Sequence, residues 1–314
     1  MATQTTSAMG PKWPVKTREL QNHHLDSRIW NNFPFRDDDI IISTWAKSGT
    51  TWMQQIISQL VTLGDDKVNL HMESPWLDMR IIANEQTVAA LEAQTHRRFI
   101  KTHLPVDALV YSPRAKYIFV ARDGRDVMWS MHNHFRCGND MFYSMLNGYP
   151  GLVGPALKKP DEDPVQFVRD FLDNPADPET THSPFWAHVK GWWDIRELPN
   201  ILFVHFNDMK ADLKSEIRRI AEFLEIDVPN EKWADILHHC TFAYMKEHAE
   251  RMSPPGAEQV FEGGAKSFIN KGTNGRWTDL LSEEDVTRYE QTAKAELGPD
   301  CAIWLANGRN PIEI

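Results

Sequence analysis

The chain has 314 residues, 41% hydrophobic and 25% charged, an ordinary globular composition that suits one α/β domain with insertions. Its formal net charge of −10 argues against a nucleic-acid partner, since phosphates would be repelled outside any local basic patch. No apolar run approaches the length of a membrane helix, and Met1–Gly10 has neither the basic start nor the apolar core of a secretion signal. Three widely spaced cysteines, Cys137, Cys240 and Cys301, form no Cys-x-x-Cys pair, so a reducing, cytoplasmic location is expected, with neither a disulfide framework nor structural zinc.

Residues 1–38 are polar with scattered prolines and read as a lead-in. The first strong element begins at Asp39. Ile40 to Ile42 is an apolar, β-branched run long enough for one buried strand. The chain then turns through Lys47-Ser-Gly-Thr-Thr51. A helical period follows, with Trp52, Ile56, Leu60 and Leu63 on one face and Gly64 as the stop. Strand, glycine-containing loop and helix N-terminus together make an anion cradle, because the loop's N–H groups point outward and the helix dipole favours negative charge there. The cradle departs from a Walker A loop. With Gly49 as that motif's second glycine, Thr50 holds the lysine position, Thr44 holds the first glycine position, and Lys47 comes two residues early.

Glu73-Ser-Pro-Trp-Leu-Asp-Met79 is a loop with apolar groups, either a plug on the core or one wall of a pocket. A mixed helix follows from Glu85 to Thr95. In Arg98-Phe-Ile-Lys-Thr-His-Leu-Pro105, Phe99 and Ile100 start a short strand that Pro105 ends. Lys101 and His103 therefore fall at the carboxyl end of a strand, the edge of an open α/β sheet where ligands bind. Lys116 to Ala121 is a buried strand running into Arg122-Asp-Gly-Arg-Asp126, with a helix from about Val127 that carries Ser130. Arg122 at a strand end suits a bidentate grip on phosphate; the alternative is a salt bridge to Asp123 or Asp126.

Residues 137–184 are rich in Gly, Pro, Asp and Asn and contain one helical stretch, Val165 to Leu172. They read as an insertion covering the sheet. Phe185 to Leu198 is an aromatic helix, Asn200 to Phe206 a buried strand, and Leu213 to Leu224 an amphipathic helix. The stretch Gly263 to Trp277 is glycine-rich and carries Lys266, Lys271 and Arg276; with 251–262 it reads either as a loop closing over an anion or as a plain linker. A C-terminal helix spans Ser282 to Leu297. Strands alternating with helices give an α/β fold over residues 1–314, a central, mainly parallel sheet flanked by helices with a P-loop-like nucleotide-binding core.

Taken together, these motifs resemble the cytosolic sulfotransferase family over nearly the whole chain. Thr44-Trp-Ala-Lys-Ser-Gly-Thr-Thr-Trp52 resembles its 5′-phosphosulfate loop, Lys101-Thr-His-Leu-Pro105 its catalytic-histidine motif, and Val120-Ala-Arg-Asp-Gly-Arg-Asp-Val127 with Ser130 its 3′-phosphate motif. Asn207-Asp-Met-Lys210, Cys240-Thr-Phe-Ala-Tyr-Met245 and Phe268-Ile-Asn-Lys-Gly272 sit where later family motifs fall. The resemblance implies 3′-phosphoadenosine 5′-phosphosulfate (PAPS) as co-substrate, no metal, and transfer of the sulfuryl group to a hydroxyl or amine of a small acceptor.

By the same resemblance Lys47, Ser48, Gly49, Thr50, Thr51 and Trp52 hold the 5′-phosphosulfate, with Trp52 near the adenine. Arg122, Ser130, Lys271 and Gly272 hold the 3′-phosphate; Thr241, Phe242 and Met245 line the adenine and ribose. His103 is the base, assisted by Lys101. Two positions depart from the family: Asn270 replaces its usual arginine, and Phe206 its usual tyrosine. Phe206 and Phe268 remain available to pack on the nucleotide. The sequence has no copy of the family's C-terminal dimerisation signature, so oligomeric state stays open. The aromatic and methionine content weakly favours an apolar alcohol or phenol as acceptor. The alternatives are a nucleotide-dependent kinase, opposed by the missing Walker lysine and Mg²⁺ acid, and a non-catalytic nucleotide or apolar-ligand binder, kept open by Asn270.

Overall fold

Four apolar runs form the sheet: β1 (Ile40–Thr44), β2 (Phe99–Thr102), β3 (Lys116–Ala121) and β4 (Ile201–His205). The computed structural model describes residues 11–82, 84–174 and 183–309. The sequence reading of Met1–Gly10 and part of the 137–184 insertion, residues 175–182, lie outside the described residues. All strand pairs are parallel, in the order β2-β1-β3-β4. Helices cover both faces, so β1 and β2 are buried along their whole length, and each opens on an apolar run with no alternation. Ile40, Ile41 and Ile42 are fully buried, each contributing roughly 1.5–3 kcal/mol of burial free energy.

The register decides where the site falls. Ser43 pairs with Thr102, Thr44 with Val120, and Ala121 with His205. All four carboxyl ends thus lie at one edge. The residues that follow them are the Trp45–Gly49 turn, His103, Arg122 and Phe206. β1 is also where the chain reverses its direction of winding, from β2 on one side to β3 on the other, the point at which open α/β sheets form a crevice.

Several elements differ from their sequence reading. Helix α1 runs Thr50–Val61 and stops before Leu63. Leu63 and Gly64 both have positive φ, and the Gly64 N–H closes the helix on the Gln59 carbonyl at 2.9 Å. Leu63 is therefore off the helix face. The helix expected from about Val127 starts at Gly124, because the Asp123 side chain accepts from the Arg125 N–H and caps it early. Residues 137–184 hold a second helix, Asp140–Asn147, capped by Asn139, besides Pro164–Asp173. The lead-in is built into the core: Leu25 and Trp30 are fully buried, and Thr17 N–H bonds the Asp107 carbonyl at 2.8 Å.

Candidate active site

The turn after β1 is shaped for an anion. Lys47 sits at φ 66°, an unusual conformation for a side chain with a Cβ, and Gly49 follows at φ 112°. Gly49 is the N-cap of α1, and no side chain caps that helix; its first turn contains no acid. The first-turn N–H groups of Thr50 and Thr51 and the positive end of the dipole thus open on the crevice. Gly49 is required for contact as well as conformation: a Cβ there would lie 3.0 Å from the Phe206 ring. Trp52, one turn into the helix, donates Nε1–H to the Cys240 carbonyl at 2.8 Å and meets Phe206 edge-on.

At the end of β2, His103 Nδ1 lies 2.7 Å from the Thr44 carbonyl and 3.0 Å from Thr44 Oγ1, which bonds Thr50 Oγ1 at 2.7 Å. A carbonyl only accepts, so Nδ1 carries the proton and Nε2 holds the lone pair. The histidine tautomer is thereby fixed by the first residue of the anion turn's own motif. Trp76 lies edge-on against His103, with ring centroids 4.6 Å apart, and Lys101 Nζ lies 4.7 Å from the centre of the same indole. Beneath them Asp78 is fully buried. It accepts from Trp30 Nε1 at 2.9 Å, Trp76 Nε1 at 2.6 Å and Thr102 Oγ1, and more distantly from the His103 N–H. Burial pushes its pKa up, against those hydrogen bonds.

After β3, Arg122 lies over the Phe206 ring at 4.4 Å. It makes no ion pair with Asp123 or Asp126: Asp123 is held by Arg125 at 2.6 Å, while Arg122 donates to Asn274 Oδ1 and the Thr273 carbonyl, both at 2.9 Å. Asp126 instead accepts from the Gly275 N–H at 2.9 Å, fastening the same loop; burial raises its pKa to about 6.

These pieces enclose one cavity. Its lining includes Lys47, Gly49, Thr50, Thr51, Trp52, Lys101, His103, Arg122, Ser130, Phe206, Phe242, Met245, Phe268, Asn270 and Gly272, all predicted from the sequence. Lys271 lies instead in a smaller adjoining hollow, shared with Arg122, Ser130 and Arg276. Ser48 is buried beneath the turn and is not part of the wall. Thr241 caps the helix Phe242–Glu247, its Oγ1 accepting from the Tyr244 N–H, and also stays off the wall. Sequence reasoning missed His24, Met131, His134 and Phe135. The last three were accessible, because they fall three to five residues after or beside Ser130 on one helical stripe. His24 had no local signal.

Among the described residues the cavity wall contains Lys47, Lys101, Arg122 and Lys210 and no carboxylate. In a chain of net charge −10 this concentrates positive potential at one place. Burial lowers the Lys101 pKa to about 7, with further repulsion from Lys47. Burial likewise lowers Lys47 to about 8, with Arg122 adding to it. Unscreened, mutually repelling cations in an acid-free cavity fit a multiply charged anionic ligand.

A parallel sheet with all its carboxyl ends opening on such a cavity defines an α/β protein of the kind that binds its ligand at one edge of the sheet. Residues 37–299 match the sulfotransferase domain family; the chain belongs to that family and is a PAPS-dependent sulfotransferase. A glycolipid sulfotransferase of Mycobacterium bovis is 32% identical over 323 residues, spanning 96% of this chain and 98% of that protein. The fold is also that of a mouse sulfotransferase solved with PAP, at TM-score 0.66 and 23% identity, covering 88% of this chain and 91% of that one. Retinol dehydratase, solved with androsterone and PAP, gives TM-score 0.66 at 24% identity, with coverage of 86% and 83%.

Proposed function

We propose that this sulfotransferase acts on the hydroxyl of an apolar alcohol or lipid, with His103 as base and without a metal ion. The observation that carries the reading is the cavity's composition: four basic side chains, no carboxylate among the described residues, and a histidine whose Nδ1–H is given to a carbonyl, which leaves Nε2 to act as the base. A kinase site of this sheet type would use an acid at a strand end for Mg²⁺. Here the corresponding place is Arg122. When bound, PAPS supplies a sulfuryl group on an anhydride oxygen that gains charge as its bond to sulfur breaks.

Lys47 and the α1 N-terminus meet that charge, where pre-aimed donors contribute most. Arg122 and Ser130, with Lys271 and Gly272 beside them, grip the 3′-phosphate; Asn270 leaves this clamp with one cation fewer than the family usually carries. Trp52, Phe206, Phe242, Met245 and Phe268 pack the nucleoside. Ser48 and Thr241 contribute by shaping the turn and by capping the helix that presents Phe242. His103 Nε2 takes the acceptor's proton as its oxygen bonds sulfur, and Lys101 steadies the transferring group. His24, Trp76, Met131, His134 and Phe135 form the acceptor side, whose aromatic surface supports an apolar acceptor, as do a relative acting on glycolipid and a neighbour solved with androsterone. The free thiols Cys137, Cys240 and Cys301 support a reducing, cytoplasmic setting.

The test is labelled-sulfate transfer from PAPS to a panel of alcohols, phenols and glycolipids, with and without a chelator. Transfer to apolar hydroxyls that survives chelation is expected. Tight binding of adenosine 3′,5′-bisphosphate with no transfer to any acceptor would establish the non-catalytic reading instead.

A further inference from the structure

The stretch from Gly263 to Gly275 has little regular structure to hold it. Gly263, Gly264, Gly272 and Gly275 all adopt positive φ, and its one helical turn is Ala265–Phe268. Yet Phe268, Ile269, Asn270 and Gly272 form part of the cavity wall. A short turn of this kind leaves its final carbonyls without partners inside the helix. In this structure one carbonyl of that turn and two that follow it converge on one ammonium group. Lys246 Nζ donates to the Lys266 carbonyl at 2.6 Å, to the Asn270 carbonyl at 2.8 Å, and to the Ile269 carbonyl. An ammonium has three donors, and all three are used on this one segment. Among the described residues Lys246 forms no ion pair, so its charge is committed to the loop's backbone.

Lys246 also stands in the right place to couple the loop to the nucleotide wall. It lies one turn after Phe242 and next to Met245 on the helix Phe242–Glu247, and both of those residues line the cavity. Phe242 in turn packs against Gly272: a Cβ on Gly272 would lie 2.6 Å from its ring. One short helix therefore touches the loop twice, through the lysine at 266–270 and through the aromatic ring at 272.

We propose that Lys246 is a positioning residue for the donor site: its ammonium gathers the 266, 269 and 270 carbonyls and so holds Phe268–Gly272 in the shape that receives the nucleotide. The proposal rests on the nucleotide reading given above. It assigns Lys246 no contact with either substrate.

The full-length Lys246→Met variant keeps the aliphatic stem and removes the donors; Lys246→Arg keeps the charge and offers donors again. Adenosine 3′,5′-bisphosphate should bind Lys246→Met about tenfold more weakly or worse, the scale of losing charged hydrogen bonds. The loop carries its own reporters in Lys266, Lys271 and Arg276. Trypsin should cut there faster in the variant, and saturating bisphosphate should restore protection. Turnover at saturating PAPS should stay within about threefold of wild type, since the effect falls on donor KM. Lys246→Arg should recover most of the affinity. Bisphosphate affinity within about twofold of wild type, with unchanged loop cleavage, would overturn the proposal. So would weakened binding accompanied by faster cleavage throughout the chain and no recovery in Lys246→Arg, which marks general destabilisation. A wild-type protein that failed to bind the bisphosphate would strike the nucleotide reading, while loop cleavage without ligand would still judge Lys246.

Discussion

Binding of the nucleotide is expected to draw protons from solution above pH 7. Burial, with repulsion from Lys47, brings Lys101 to about 7; burial, with repulsion from Arg122, brings Lys47 to about 8. At pH 8 the first is then about nine-tenths neutral and the second about half neutral. A polyanion placed between them supplies opposite charge and restores both ammonium groups. Binding at pH 8 therefore takes up between one and two protons. The complex holds more protons than the free protein, so affinity falls as pH rises. Between pH 7 and 9 the Kd of adenosine 3′,5′-bisphosphate should increase roughly 500-fold. The ligand itself contributes little in this range, because its phosphates lose their last proton near pH 6. Titration calorimetry at pH 7, 8 and 9, in two buffers of different ionisation heat, reads both quantities. Identical heats in the two buffers, with a Kd flat across the range, would refute the coupling of the two lysines to the anion.

His103→Ala should lose about 10²–10⁴ in kcat with an aliphatic alcohol and less with an acidic phenol; a constant ratio across acceptors of graded pKa would make His103 structural. Gly49→Ala forces a Cβ into left-handed backbone against Phe206, and should cost about 1–3 kcal/mol in denaturant unfolding while weakening bisphosphate binding. Unchanged stability and affinity would count against the close packing of that turn. Asp78→Ala strands two buried donors, on Trp30 and Thr102, removes an acceptor from half-buried Trp76, and should cost about 3 kcal/mol or more in urea unfolding. A loss below about 1 kcal/mol would mean that the donors find other partners.

The sheet was legible because its strands are continuous apolar runs. Parallel strands buried on both faces show no alternation, and Ile40 to Ile42 or Lys116 to Ala121 could be read as little else. Once the strands are parallel, the residues just beyond them share an edge, and this is why Lys47, His103 and Arg122 group together from the sequence alone. The short helices were not legible. Asp140–Asn147 and Phe242–Glu247 each span only about two turns, too little for a period to stand out, and packing rather than propensity makes them helical. His24 shows the other kind of blindness. Its place in the wall comes from the lead-in folding back onto the sheet, where the Arg80 N–H holds the His24 carbonyl at 2.7 Å, a contact between segments with no shared local pattern. Thr241 shows a third: a motif position can serve a neighbour's geometry without touching the cavity itself.

The Asp78 carboxylate grips the indole of Trp76 with one oxygen and reaches the His103 backbone with the same oxygen, while the other holds Trp30 and Thr102. If, as proposed, Trp76 is the wall an acceptor leans on and His103 the base that deprotonates it, the two are fastened to one carboxylate. A bulky acceptor that displaces the indole cannot do so without tilting the imidazole. Discrimination between acceptors in such an arrangement is written into turnover: a poorly shaped alcohol can bind well and still react slowly, because its own bulk has moved the base away from its proton.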